Sequence, residues 1–326
     1  MSDWRYLLAR NRATLIALAF FVAMFTVYVT NHPAGFTANV VETAANKGVL
    51  LALVAMAQTC AVITAGIDLS VGAVFVLSNC LASAIVVGTP FSAALGVLGV
   101  IAAGLACGAL NGLIIIVGRL QPIVTTIATG AVFSGLALLL RPTPGGDVYG
   151  PLADALTGRV FSVLPASLVS LAAVVLVVWI PYARSPIGRA AYAVGSSEPA
   201  AYMSGAPVAR AKFVAYLLSG LMASLGGLFL TFVTDSGEAS AATAGAYTLY
   251  SIAAVVLGGV SLYGGSGSAI GAIFGALMFR TIGDLLFVFN LDPLWQPLFQ
   301  GLVLLAAVSL GAARLFQVRN RLELFP

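Results

Sequence analysis

Charge is what this chain has least of. Only 26 of its 326 residues are Asp, Glu, Lys or Arg, 8% of the total, against a usual share of about 25% in soluble domains. A soluble fold of this size could not cover itself with so few charged side chains. The shortage excludes an ordinary soluble enzyme, a nucleic-acid binder and a disordered chain. Histidine occurs once, as His32 before Pro33, so a histidine-based metal site or catalytic triad would have to use that residue alone, and a solvated turn is expected there. Cysteine occurs three times, as Cys60, Cys80 and Cys107, always inside apolar runs and never as CxxC. Reduced, buried thiols are expected rather than metal ligands or disulfides. Lysine occurs twice, as Lys47 and Lys212, and neither follows a glycine. No GxxxxGK[ST] loop exists, so any ATP that drives this chain is bound by another subunit.

What is present is hydrophobic sequence. Sixty per cent of the residues are apolar, and the mean hydropathy is +1.06. The 35 glycines suit close helix packing in lipid. Ten apolar stretches stand out, near 13–30, 48–66, 69–88, 91–117, 122–140, 164–182, 210–233, 245–263, 267–289 and 294–312. Each approaches the ~17–25 residues that cross a bilayer as a helix. The expected fold is all-α: a polytopic membrane protein of about ten spans, one domain over 1–326, with its first span retained rather than cleaved.

The positive residues orient it. With the N-terminus inside, Arg5, Arg10, Arg12, Arg119, Arg184, Arg189, Arg210, Lys212, Arg314, Arg319 and Arg321 fall on the cytoplasmic side, and Lys47, Arg141 and Arg159 outside. The bias favours both termini inside. The outer loop 141–163 reads as turns with little regular structure. The inner loop 183–209 carries a short helix, EPAAYMS, with Ser197 as N-cap, Glu198 and Pro199 in its first turn, and Gly205 and Pro207 as its stop. It reads either as an interfacial helix or as a rigid knob for a soluble partner.

Ionisable groups within spans mark function by default. In TAGIDLSVGA, Gly66 can end one helix, and Asp68 or Ser70 can cap the next. Such breaks are tolerated where they line a cavity or are buried in protein. Asp68 is either a cap alone or also a pathway residue. Arg280 and Asp284 lie four apart in FRTIGDLLF and can pair on one helix face, as a structural ion pair or as a polar patch on the solute path. Gln58, Asn79, Asn111, Gln121, Thr125, Thr126 and Thr129 are polar on apolar helices. Interhelical hydrogen bonds account for most, and Asn79 and Asn111 are carried forward as path candidates. GGVSLYGGSGSAIGAIFGAL echoes AGIDLSVGAVF, a hint of duplication.

AGIDLSVGAV, LNGLIIIVGRLQPIVTTIATG, GRAAYAVGSSEPAAYMSGAPV, GGVSLYGGSGSAIGAIFGAL and LDPLWQPLFQGLVLLAAV occur in order over about 48–312. Together they resemble membrane subunits of sugar-importing ABC transporters, the ribose, xylose and arabinose permeases related to branched-chain amino-acid permeases. The resemblance implies a multi-pass protein of the bacterial inner membrane. It implies a dimer with an identical or homologous permease, a cytoplasmic ATPase that holds ATP and magnesium, and a periplasmic binding protein. It implies no cofactor in this chain. Its cytoplasmic loop would couple ATP hydrolysis to transport, with Glu198, Ala200, Ala201 and Gly205 matching the E-x-A-A-x-x-x-G pattern. Ala65 stands where the family usually has glycine, and Asp284 where asparagine is common. The rival class is an ion-gradient-driven transporter using Asp68 or Asp284. A passive channel and a membrane enzyme rank below both.

Overall fold

The computed structural model describes residues 3–306 and 309. The basic tail with Arg314, Arg319 and Arg321, and the end of the last apolar stretch, lie outside the described residues, as do the side chains of Arg5 and Arg10. The chain is a helical membrane protein. Among the described residues, seven helices are long and apolar enough to cross a bilayer. Three shorter apolar helices, Val71–Ile85, Ala241–Leu257 and Gln296–Ala306, occupy the remaining apolar stretches.

The helices are α1 (Asp3–Asn31), α2 (Ala38–Ile63), α3 (Val71–Ile85), α4 (Pro90–Val117), α5 (Pro122–Leu140), α6 (Gly150–Thr157), α7 (Ala166–Val174), α8 (Ile180–Arg184), α9 (Pro186–Ser196), α10 (Glu198–Met203), α11 (Val208–Thr234), α12 (Ala241–Leu257) and α13 (Ala269–Val288), followed by α14 (Gln296–Ala306). A π-helical turn, Val175–Trp179, joins α7 to α8. Pro181 explains it, since it can donate no backbone hydrogen bond and the ladder shifts register just before it.

Helix α2 is the axis of the molecule. It is apolar on every side, as a buried helix must be, and residues 48–63 are all buried. Helices α3, α11, α12 and α13 surround it, with α4 and α5 outside them and α1 against α13. The outer helices turn large apolar side chains outward, such as Phe20, Leu95, Val117 and Leu139, which suits a lipid surround. The α4–α11 crossing is close because glycines face glycines: a Cβ on Gly220 would collide with the Gly104 carbonyl.

Two connections carry more structure than the sequence indicated. The segment 141–163 holds α6 and the first strand of a hairpin, Arg159–Val160, which pairs with Leu164–Pro165 just beyond it. The segment 183–209 holds α9 as well as α10. Ser185 starts α9, its Oγ accepting the Gly188 N–H at 2.9 Å, with Pro186 in the first turn. That Ser-Pro start is an ordinary helix signal, masked by the glycines and small residues that follow it. These two segments mark opposite ends of the bundle. Arg184, Arg189, Arg210 and Lys212 gather at the α10 end, while Lys47, Arg141 and Arg159 lie towards the α6 end.

Candidate functional site

The break after α2 is built as a closed helix end. Ala65 takes a left-handed conformation, φ +61°. Its N–H donates to the Val62 carbonyl at 2.9 Å, and the Gly66 N–H donates to the Ala61 carbonyl at 3.3 Å. This is a Schellman turn whose left-handed position normally takes glycine. The helix therefore closes one residue earlier than expected, at Ala65 rather than Gly66. Gly66 serves a different need, because a Cβ there would run into the buried Tyr216 hydroxyl.

Asp68 is 2% exposed and does not cap α3. Ser70 holds the cap position, without a side-chain capping bond. Asp68 Oδ1 accepts from the Ser70 N–H at 3.0 Å and the Ser70 hydroxyl at 2.6 Å, and Oδ2 accepts from the Ser219 hydroxyl at 2.7 Å. The network extends outward. Asn111 Nδ2 donates to Ser70 Oγ at 2.8 Å, and the Thr129 hydroxyl donates to Asn111 Oδ1 at 2.6 Å. Thr126 Oγ1 accepts the Leu69 N–H at 2.9 Å. Four segments (the break, α4, α5 and α11) thus converge on one carboxylate. Ser219 lies about 16 Å along α11 at ~1.5 Å per residue, so the break sits deep in the bundle and not at its surface. Its polar backbone is tolerated there because protein surrounds it.

Asn79 belongs elsewhere. Its Nδ2 donates to Thr231 Oγ1 and the Ser236 carbonyl, both at 2.9 Å, and its Oδ1 accepts the Glu238 N–H at 2.9 Å. It ties α3 to the α11–α12 connection.

Arg280 and Asp284 line a cavity of about 660 Å³ between α1, α2 and α13, with Tyr28, His32, Thr43, Lys47 and Gln296. They do not pair as the four-residue spacing suggested. Asp284 instead faces Lys47, Nζ to Oδ1 4.0 Å. Arg280 Nε is buried without a partner. Arg280 lies about 16 Å from the start of α13 at ~1.5 Å per residue, so the cavity brings charge to mid-bundle depth. At the α6 end, Arg159 pairs with Glu42 and donates to Asn39, holding the hairpin against α2. Sequence reasoning passed over Lys47 and Ser219 as site residues and placed His32 in a solvated turn. Lys47 carried a signal, as a lysine at the edge of an apolar stretch on the side that the other positive residues avoid. Ser219, one of several hydroxyls along α11, carried none.

At the far end, α10 has the expected caps. Ser197 Oγ accepts the Ala200 N–H at 3.4 Å. Gly205 (φ +76°) closes the helix with the same turn seen at Ala65, its N–H to the Tyr202 carbonyl and the Ala206 N–H to the Ala201 carbonyl, both 3.0 Å. Ala201 is buried; Ala200, Tyr202 and Met203 are exposed. Glu198 pairs with Lys212 on α11 at 2.6 Å. The neighbouring α9 reaches the break. Gly195 packs on the Ile63 carbonyl, and the Gly265 N–H donates to that carbonyl at 3.0 Å. Tyr192 donates to the Gly267 carbonyl at 2.8 Å; burial pushes its phenol up to about 12, so it remains a donor at physiological pH. The α9–α10 segment, the 258–268 loop and the end of α2 form one packed unit.

Residues 40–308 match the family described as the permease component of branched-chain amino acid transport systems. The chain is 36% identical to the ribose import permease of Bacillus subtilis, over 79% of this chain and 80% of that one. It is 32% identical to the ribose import permease of Escherichia coli K12, over 91% and 92%. It is 33% identical to the fructose import permease of Rhizobium meliloti, over 80% and 74%. No solved structure matches.

Proposed function

Because the chain belongs to this family of transport-system permease components, we propose that it forms the membrane path of an ABC importer for a monosaccharide. It is a multi-pass membrane protein and not itself an enzyme. ATP and magnesium bind a separate cytoplasmic ATPase, and a periplasmic binding protein delivers the solute. Two permeases, identical or homologous, make the path. In this reading the chain makes ten spans, with both termini and the α10 end in the cytoplasm and the cavity open to the outside of the inner membrane.

The observation that carries this reading is the packed unit at the α10 end. Exposed Tyr202 and Met203 offer a grip to a soluble partner. Behind them, α9 rests on the end of α2 and so on the break at Asp68. A push on α10 is transmitted to the buried network through backbone contacts, which are stiff. Ser197, Glu198, Ala200, Ala201 and Gly205 are the residues of that lever. The ion-driven rival needs a carboxylate free to titrate or to coordinate a cation, whereas both oxygens of Asp68 already accept donors and Asp284 shares its cavity with the two cations Lys47 and Arg280.

The test is reconstitution with the ATPase and the binding protein. ATP-dependent sugar uptake is expected, insensitive to ionophores. Glu198→Arg, which sets two cations together with Lys212, should uncouple uptake from ATP hydrolysis. Uptake abolished by an ionophore at constant ATP would sink the proposal.

A further inference from the structure

The charged groups lining the cavity are Lys47, Arg280 and Asp284, with one more cation than anion. Lys47 and Asp284 stand at the outer limit of ion pairing, 4.0 Å apart, with the lysine side chain 43% exposed. Arg159 at the rim is answered by Glu42 and leaves that balance unchanged. Among the described residues no carboxylate lies within salt-bridge distance of Arg280, and its buried Nε has no acceptor. Asp284, one helical turn along, is the single carboxylate that Arg280 and Lys47 share in this cavity, so the two cations are only half answered, and that excess at membrane depth is costly. An acceptor arriving with the solute would relieve that cost, and a carboxylate does so best because it matches the guanidinium fork.

The rest of the lining suits a polyol. Thr43 and Gln296 supply hydrogen-bonding groups, and Tyr28 and Phe287 supply ring surfaces. His32 Nδ1 accepts the Ala34 N–H at 3.1 Å, so a neutral imidazole carries its proton on Nε2 and can donate. The volume, about 660 Å³, falls within the ~300–1,000 Å³ of small-molecule sites.

We infer that this cavity takes a monosaccharide acid, an aldonate or uronate, with its carboxylate on Arg280 and its hydroxyls on Asp284, Thr43 and Gln296. The inference rests on the reading of the chain as a solute path and specifies the solute. A neutral sugar leaves the cavity with one cation in excess, and a cationic solute meets two positive side chains against one negative.

The experiment is equilibrium binding of radiolabelled D-galacturonate and D-galactose to the full-length chain in phosphatidylcholine nanodiscs. Galacturonate should bind about tenfold tighter than galactose, or more. Arg280→Gln should weaken galacturonate by roughly ten- to a hundredfold and galactose by much less, so that the preference for the acid is lost. Asp284→Asn removes a like charge from the site and should tighten galacturonate roughly fivefold, a gain that a misfolded chain cannot give. Arg119→Gln, at the α10 end, should change nothing. Equal binding of the two sugars, indifference to Arg280→Gln or weaker binding by Asp284→Asn would each overturn the inference. Because ATP plays no part in the measurement, its failure leaves the importer proposal standing. Conversely, loss of ATP-driven uptake beside charge-dependent binding would sink the importer and spare the site.

Discussion

At the scale of single residues, Asp68 shows how a buried carboxylate is kept. It is 2% exposed and is held by three donated hydrogen bonds rather than by a cation. Removing a donor to a buried charged group costs about 2 kcal/mol, because the acceptor is left dry and unpaired. Ser219→Ala should therefore destabilise the purified protein by about that amount. Asp68→Asn should cost less, since its amide nitrogen can donate to Ser219 while its oxygen keeps Ser70. Thermal unfolding in detergent gives the comparison, and a Ser219→Ala midpoint equal to wild type would remove Ser219 from the network. Asp68 and Asn111 were legible in the sequence because polar groups on apolar helices declare themselves. That Asn111 serves the break while Asn79 ties α3 elsewhere was not legible, for each is a polar side chain in an apolar run and only packing separates them. The expected Arg280–Asp284 pair failed for a related reason. Helical spacing puts two residues on one face, but a lysine from α2 competes for the carboxylate.

At the scale of elements, one closing turn recurs at helix ends, three of them closed by Ala or Gly and a fourth by Asn290 after α13 (φ +53°). Ala65 after α2, Gly205 after α10 and Gly259 after α12 are all left-handed, with φ of +61°, +76° and +78°. Each is followed by a residue whose N–H reaches back into the last turn: Gly66 to Ala61, Ala206 to Ala201 and Val260 to Val255. The echo between AGIDL and GGVSL therefore has a structural counterpart, but shifted by one residue. Ala65, not Gly66, corresponds to Gly259. The sequence match was drawn through the shared glycine, whereas the shared feature is a backbone angle. Glycine tolerates that angle freely, and alanine pays about 1 kcal/mol for it. Reciprocal substitutions follow. Ala65→Gly should raise the unfolding free energy by about 1 kcal/mol. Gly205→Ala, where a Cβ meets nothing within 4 Å, should instead fray α10 with little global destabilisation. Its readout is stimulation of the partner ATPase by the permease, expected to fall roughly fivefold, the factor that 1 kcal/mol corresponds to. Unchanged stimulation would show that α10 need not be a closed helix to couple. Helix α9 was the element least legible beforehand, although its Ser185-Pro186 start was in plain view.

At the scale of the whole molecule, the chain separates a tightly packed end from one that holds a charged cavity. The α10 end joins α9, the 258–268 loop and the end of α2 through backbone contacts at Gly195 and Gly265. The α6 end opens around the ion-lined cavity. The membrane class was legible from composition alone, because 26 charges cannot solvate 326 residues. The distribution of arginine and lysine favours the α10 end as the cytoplasmic face, a proposal open to direct measurement. The three native cysteines are all buried, none more than 8% exposed, so they stay silent to a charged maleimide. Cysteines introduced at Phe161, 93% exposed in the α6-end hairpin, and at Ser204, exposed at the end of α10, report the two faces. In intact cells from which the outer membrane has been removed, an impermeant maleimide should label Phe161→Cys and not Ser204→Cys. Permeabilised cells should label both. The reverse pattern would invert the molecule, carrying the cavity to the cytoplasmic side and α10 beyond the reach of any ATPase, and the lever and the cavity assignment would fall together.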